Sequence, residues 1–171
     1  VLFDVAPGHP LLIEAKSPVI QAGGGVILAD AAEELREFVD RLGIPVAHSL
    51  MGKGVLPDDH DLVLGMTGFW GTKLVNDKCL NADWVFGVGT RFAEADCSSW
   101  EEEYTFNFSK SKLIHIDIDP EEIGRNYPVA IGAVADLKQA LTALNRVARE
   151  LLPQPRRNEA LRQEIAAFRK D

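Results

Sequence analysis

Short apolar runs of strand length alternate along this chain with amphipathic stretches of helix length, and that alternation admits few folds. Pro18 to Ala22 reads as a first strand ending on Gly23-Gly24-Gly25. A helix over Ala29 to Leu42 follows, with Ala32, Leu35, Phe38, Val39 and Leu42 on one stripe at a period of about 3.6. Asp30 and Gly43 suit its two ends. Ile44 to Ala47 reads as a second strand, and Met51 to Met66, broken by Gly52, Gly54, Pro57 and Gly65, as mostly loop. Gly71 to Leu80 is a helix candidate, and Trp84 to Val88 a buried strand running into Gly87-Val88-Gly89. The acidic, aromatic stretch Ala93 to Asn107 has no period and reads as a long loop.

Lys112 to Asp117 is a fourth strand, after which Asp119, Pro120 and Glu122 have the residue types of a helix start: cap carboxylate, proline at the first turn, glutamate three on. Val129 to Ile131 is a short fifth strand, and Asp136 to Leu152 a helix with Leu137, Leu141, Leu144 and Ala148 on its face. Beyond Pro153 and Pro155 a charged helical tail reads as a linker into a further domain. The sum is an α/β fold: a doubly wound, mostly parallel sheet with helices on both faces, a three-layer sandwich of Rossmann-like type. Ligands of such sheets bind outside the carboxyl ends of the strands, near the point where the strand order reverses.

Composition narrows the function. The chain of 171 residues carries a net charge of −8, so the clustered basic surface that grips nucleic acid is not expected. No run approaches the roughly eighteen apolar residues of a membrane span. Val1 to Gly8 have neither the basic nor the apolar region of a secretory leader, and the absence of an initial Met suggests a start inside a longer parent. Cys79 and Cys97 read as separate reduced thiols of a cytoplasmic protein, and His9, His48, His60 and His115 have no metal-ligand spacing. No serine elbow and no paired His and Asp stand at useful spacing.

The glycines carry what ligand signal there is. Gly23-Gly24-Gly25 stands between strand and helix, where a phosphate-cradling turn belongs, but Leu28 occupies the place of the third fingerprint glycine. The triplet is therefore either a tight turn or a close approach to a ligand. Arg91, after Gly89-Thr90, is either a phosphate contact or an ordinary surface arginine, and Asp117 either accepts from a ribose hydroxyl or is a solvated or capping carboxylate. On these residues alone, a stand-alone nucleotide-binding or sensor domain remains an alternative.

Read in order, further pieces resemble the central domain of thiamine-diphosphate-dependent enzymes, the acetolactate synthase large subunit above all. They are Ala15 to Gly25, Lys53-Gly54 with Pro57 and His60, Leu64-Gly65-Met66, Ala82-Asp83, Gly87 to Phe92, and His115 to Gly124. The likeness runs from about Leu11 to Leu144. It implies that residues 1–152 are the middle of three domains and that 153–171 lead to a C-terminal one. It implies a parent that carries thiamine diphosphate and Mg²⁺ on its other two domains, acts on a small 2-oxoacid, and assembles as a homodimer or homotetramer. Alone, the chain is expected to be inactive. The resemblance places FAD or ADP on Gly23, Gly24, Gly25, Ser49, Leu50, Gly65, Met66, Gly89, Thr90, Arg91, Asp117 and Asp136. Thr67 replaces the usual histidine, Ala93 and Ala95 replace an Asp and an Arg, and Ala135 a glycine.

Overall fold

A computed structural model of the chain describes residues 11–169; the leader reading of Val1 to Gly8, and His9, fall outside them. Six strands form one parallel sheet in the order β3-β2-β1-β4-β5-β6. They are β1 (Val19–Ala22), β2 (Val46–His48), β3 (Val63–Met66), β4 (Trp84–Val88), β5 (Lys112–Asp117) and β6 (Ile131–Val134). The order reverses between β1 and β4, which pair in register from Val19 against Val85 to Ala22 against Val88. That reversal is the switch point of a doubly wound sheet.

The helices are α1 (Leu11–Glu14), α2 (Gly24–Leu28), α3 (Ala32–Leu42), α4 (Lys73–Leu80), α5 (Leu137–Leu151) and α6 (Glu159–Phe168). On one face α3 packs against α5 and sets Phe38 edge-on to Phe86 of β4, ring centroids 5.7 Å apart. The right-handed crossover from β3 to β4 carries α4 to the other face. Ile20, Val46, Val85, Leu113 and Ile116 are each at most 2% exposed, so the central strands are buried on both faces.

Four local readings are corrected. The helix expected over Ala29 to Leu42 starts only at Ala32, with a separate short α2 ahead of it, because Asp30 takes a left-handed φ of 50° and Lys138 binds both its carbonyl and its carboxylate at 2.7 Å. β3 lies in the stretch read as loop; pairing with β2 supplies the order that its glycines concealed. Asp119-Pro120-Glu122 opens only a turn: Asp119 accepts from the Glu121 and Glu122 amides, and Gly124, at φ 77°, ends it. The last strand runs over Ile131–Val134, a few residues later than expected.

The tail forms α6 and packs back on the domain. Leu161 and Ile165 are buried, Glu164 pairs with Lys78 at 2.7 Å, and Arg162 pairs with Asp61 at 2.7 Å. Arg169 donates to the carbonyls of His60 and Val63, which covers the β3 edge of the sheet.

Candidate functional site

All twelve residues singled out in the sequence lie at the carboxyl ends of the strands. Gly23, Gly24 and Gly25 follow β1; Ser49 and Leu50 follow β2; Gly65 and Met66 close β3. Gly89, Thr90 and Arg91 follow β4, Asp117 ends β5, and Asp136 stands between β6 and α5. Parallel strands all end on the same side, so six separate segments converge on one rim.

The switch point is closed by backbone. Gly23 donates to Val88 O and Gly25 to Gly89 O, both at 3.0 Å. A Cβ on Gly23 would stand 2.0 Å from Gly89 O, and one on Gly25 would stand 2.7 Å from Gly89 Cα. These two glycines are therefore required by the turn after β4, whatever binds. Gly24 differs: its Cβ would meet Met51 at 3.1 Å, on the side that opens to the rim.

Several of the twelve hold the scaffold. Ser49 Oγ accepts from Gly52 N at 3.1 Å, and Asp136 caps α5 by accepting from Gln139 N at 2.9 Å. Thr90 is buried, and its carbonyl accepts from His115 Nε2 at 2.8 Å. That bond fixes the imidazole with its proton on Nε2. Burial holds the His115 pKa below the usual histidine value, while its Nδ1 is buried without a partner. The chemically open groups are the exposed Arg91, whose guanidinium makes no ion pair among the described residues, and Asp117. The Asp117 carboxylate, 8% exposed at the β5 end, accepts from Asp119 N at 3.0 Å.

The stretch after β4, which the sequence marks as a long loop without showing where it packs, shapes the site. Asp96 Oδ1 accepts from Leu50 N at 3.0 Å, and Ala95 O lies against Gly68 so closely that any side chain there would collide. Residues 93–100 thereby cover the ends of β2 and β3. Phe92, Ser98, Ser99 and Trp100 all have positive φ, and Trp100 Nε1 donates back to Phe92 O at 2.8 Å. Such strain persists only where surroundings enforce it. Behind the loop, Ser98, Thr105, Asn76 and Gly68 form a partly buried hydrogen-bonded chain, and Thr67 accepts from Gln21 at 3.0 Å. Ala93 and Ala95 lie in this loop, and Thr67 adjoins Gly68, on which it packs.

No grouping of three or more His, Cys, Asp or Glu among the described residues suits a metal ion. Both cysteines are free and buried, and burial pushes the Cys97 thiol up to about 12, so neither is a nucleophile. No described helix is long and apolar enough to cross a membrane.

A 3-2-1-4-5-6 parallel sheet with glycines at its switch point, and its polar groups on the carboxyl rim, is a doubly wound α/β domain of Rossmann-like architecture. Residues 9–144 match the central domain of thiamine pyrophosphate enzymes, and the chain belongs to that family. It is 46% identical over 142 residues to a glyoxylate carboligase of Escherichia coli O157:H7, covering 82% of this chain and 23% of that protein. It is 42% identical over 145 residues to a probable acetolactate synthase large subunit of Methanocaldococcus jannaschii, covering 80% of this chain and 24% of that one. To the acetolactate synthase large subunit of Haemophilus influenzae it is 42% identical over 130 residues, 76% of this chain and 22% of that one. The chain thus spans about a quarter of the length of the curated relatives it matches.

Proposed function

We propose that this domain is the nucleotide-carrying, non-catalytic centre of a cytoplasmic, oligomeric enzyme that uses thiamine diphosphate and Mg²⁺ to decarboxylate or join small 2-oxoacids. The relatives' names support the reaction class, and the carboxyl rim supports the division of labour. Thiamine diphosphate supplies the carbon–carbon bond chemistry from elsewhere in the protein. This domain's own part is to bind and orient: among the described residues the rim offers glycine backbone, one free cation and one strand-end carboxylate, and no acid–base pair.

The nucleotide we favour is ADP rather than FAD. Gly24, Arg91 and Asp117 stand at the ends of β1, β4 and β5, and they suit a pyrophosphate and a ribose. Over β2 and β3 the 93–100 loop is already packed, with the Leu50 amide taken by Asp96. That packing is the observation that carries the preference. Titration calorimetry on the 171-residue chain tests it: ADP is expected to keep most of the affinity shown by FAD. An FAD affinity far above that of ADP would reverse the assignment. Failure of both at millimolar concentration would make the domain purely structural. The longer protein is expected to consume pyruvate or glyoxylate only with thiamine diphosphate and Mg²⁺ added. Turnover without them would overturn the reaction class.

A further inference from the structure

A second cleft lies at the opposite end of the sheet, outside the amino ends of the strands. It holds about 830 Å³, within the size range of small-molecule sites. Its floor includes Val19, Leu42 and Leu161, all buried apolar side chains. Its walls carry Lys16, Arg156 and Arg157, and none of these three makes an ion pair among the described residues. The acids that share the lining are already neutralised, Glu164 by Lys78 and Asp77 by Lys73. In a chain of net charge −8, an apolar floor under three uncompensated cations is a marked local inversion.

Both cationic walls are held from behind. The Asp83 carboxylate accepts from the amides of Lys16 at 2.7 Å and Ser17 at 3.0 Å. Arg156 N donates to Arg41 O at 2.9 Å, and its carbonyl lies against Gly43, where a Cβ would approach to 2.9 Å. The left-handed Gly43, at φ 65°, ends α3 and leaves the space into which the 153–158 segment settles. The backbones of Lys16 and Arg156 are thus fixed, so a ligand has to order only their side chains.

We propose that this cleft binds a small organic anion with an apolar body, its phosphate or carboxylate head held by Lys16, Arg156 and Arg157 and its body lying on Val19, Leu42 and Leu161. Arginine forks suit either head bidentately. The site is independent of the nucleotide reading, which concerns the other end of the sheet.

Amide chemical shifts of the 171-residue chain, titrated with hexyl phosphate, hexanoate and inorganic phosphate, test the proposal. Hexyl phosphate or hexanoate is expected to saturate, with the largest shifts at Lys16, Ser17, Gly43 and Leu161; the tighter of the two identifies the head. Inorganic phosphate should bind more weakly, since it leaves the floor uncovered. Replacing both arginines, Arg156→Ala with Arg157→Ala, should weaken binding at least about tenfold. Lysine at both positions should restore part of it. These side chains are exposed, so the fold is not at risk. Absence of saturable shifts in the cleft at millimolar probe, or binding unchanged by the double alanine variant, would overturn the proposal. ADP added to the same sample reports through Gly23 to Gly25 and Gly89, so either site can fail alone.

Discussion

Arg91 and His115 stand on either side of Thr90's peptide and illustrate the two fates of a polar residue at a strand end. Arg91 is exposed and unpaired among the described residues, so its charge is available to a ligand. If it meets the pyrophosphate, Arg91→Ala removes a charge-assisted contact of roughly 1.5–3 kcal/mol, and ADP should bind about 10- to 150-fold more weakly in calorimetry. Unchanged affinity would remove Arg91 from the site. His115 is buried and neutral, and its lowered pKa has a consequence for stability. Unfolding returns the ring to an ordinary pKa near about 6.5, so the unfolded chain binds the extra proton first. Its contribution is therefore whole above that pH and lost as the pH falls below it. Thermal melts at successive pH values should show a steeper fall on acidification in the native protein than in His115→Gln, whose amide can still donate to Thr90 O. Equal slopes would show that His115 does not govern acid stability. The sequence exposed the position of both residues but not this division, because burial is a property of the assembled rim.

At the scale of elements, the regular strands were legible and the irregular ones were not. β4 and β5 were readable residue for residue, since Trp84 to Val88 and Lys112 to Asp117 are apolar runs bounded by turn residues. β3 was hidden because Val63 to Met66 includes a glycine and sits at the sheet edge, where pairing and covering contacts decide. The same covering contacts give α6 its place on the domain; the sequence marked a helical tail but not the surface on which it packs. Ile165 is 2% exposed beneath it, and truncating such a side chain costs about 2–5 kcal/mol. Ile165→Ala should lower the urea midpoint accordingly, with the α6 amides losing exchange protection first. Arg162→Ala, which removes only a partly exposed ion pair to Asp61, should cost at most about 1 kcal/mol. If the two variants were alike, α6 would be tethered by charge and not by its apolar face.

At the scale of the whole molecule, the rim that gathers the polar site residues also gathers unburied apolar ones. Leu28 is 90% exposed, Met51 69% and Trp70 68%, with Ile27, Leu50, Phe69 and Trp100 beside them in sequence or loop contact. Met51 lies on Gly24, Asp96 on Leu50, and Ala95 on Gly68, so the loops after β1, β2, β3 and β4 are joined in one surface. Exposed apolar side chains scattered singly are ordinary, whereas a joined group marks a face that meets something else. The sequence could not reveal this, because Leu28 and Trp70 occupy positions that an apolar pattern assigns to a core. In the longer relatives such a face has a large remainder of chain available to it, since this domain covers about a quarter of their length. The 171-residue chain should therefore bind an apolar fluorescent dye while fully folded and self-associate as its concentration rises. The double substitution Leu28→Gln with Trp70→Gln should reduce dye fluorescence and association. It should shift stability by no more than about 0.5 kcal/mol per site, because neither side chain packs in the core. A dye signal unchanged by the substitutions, or a melt lowered well beyond that range, would show that the surface is scaffold and not a waiting interface.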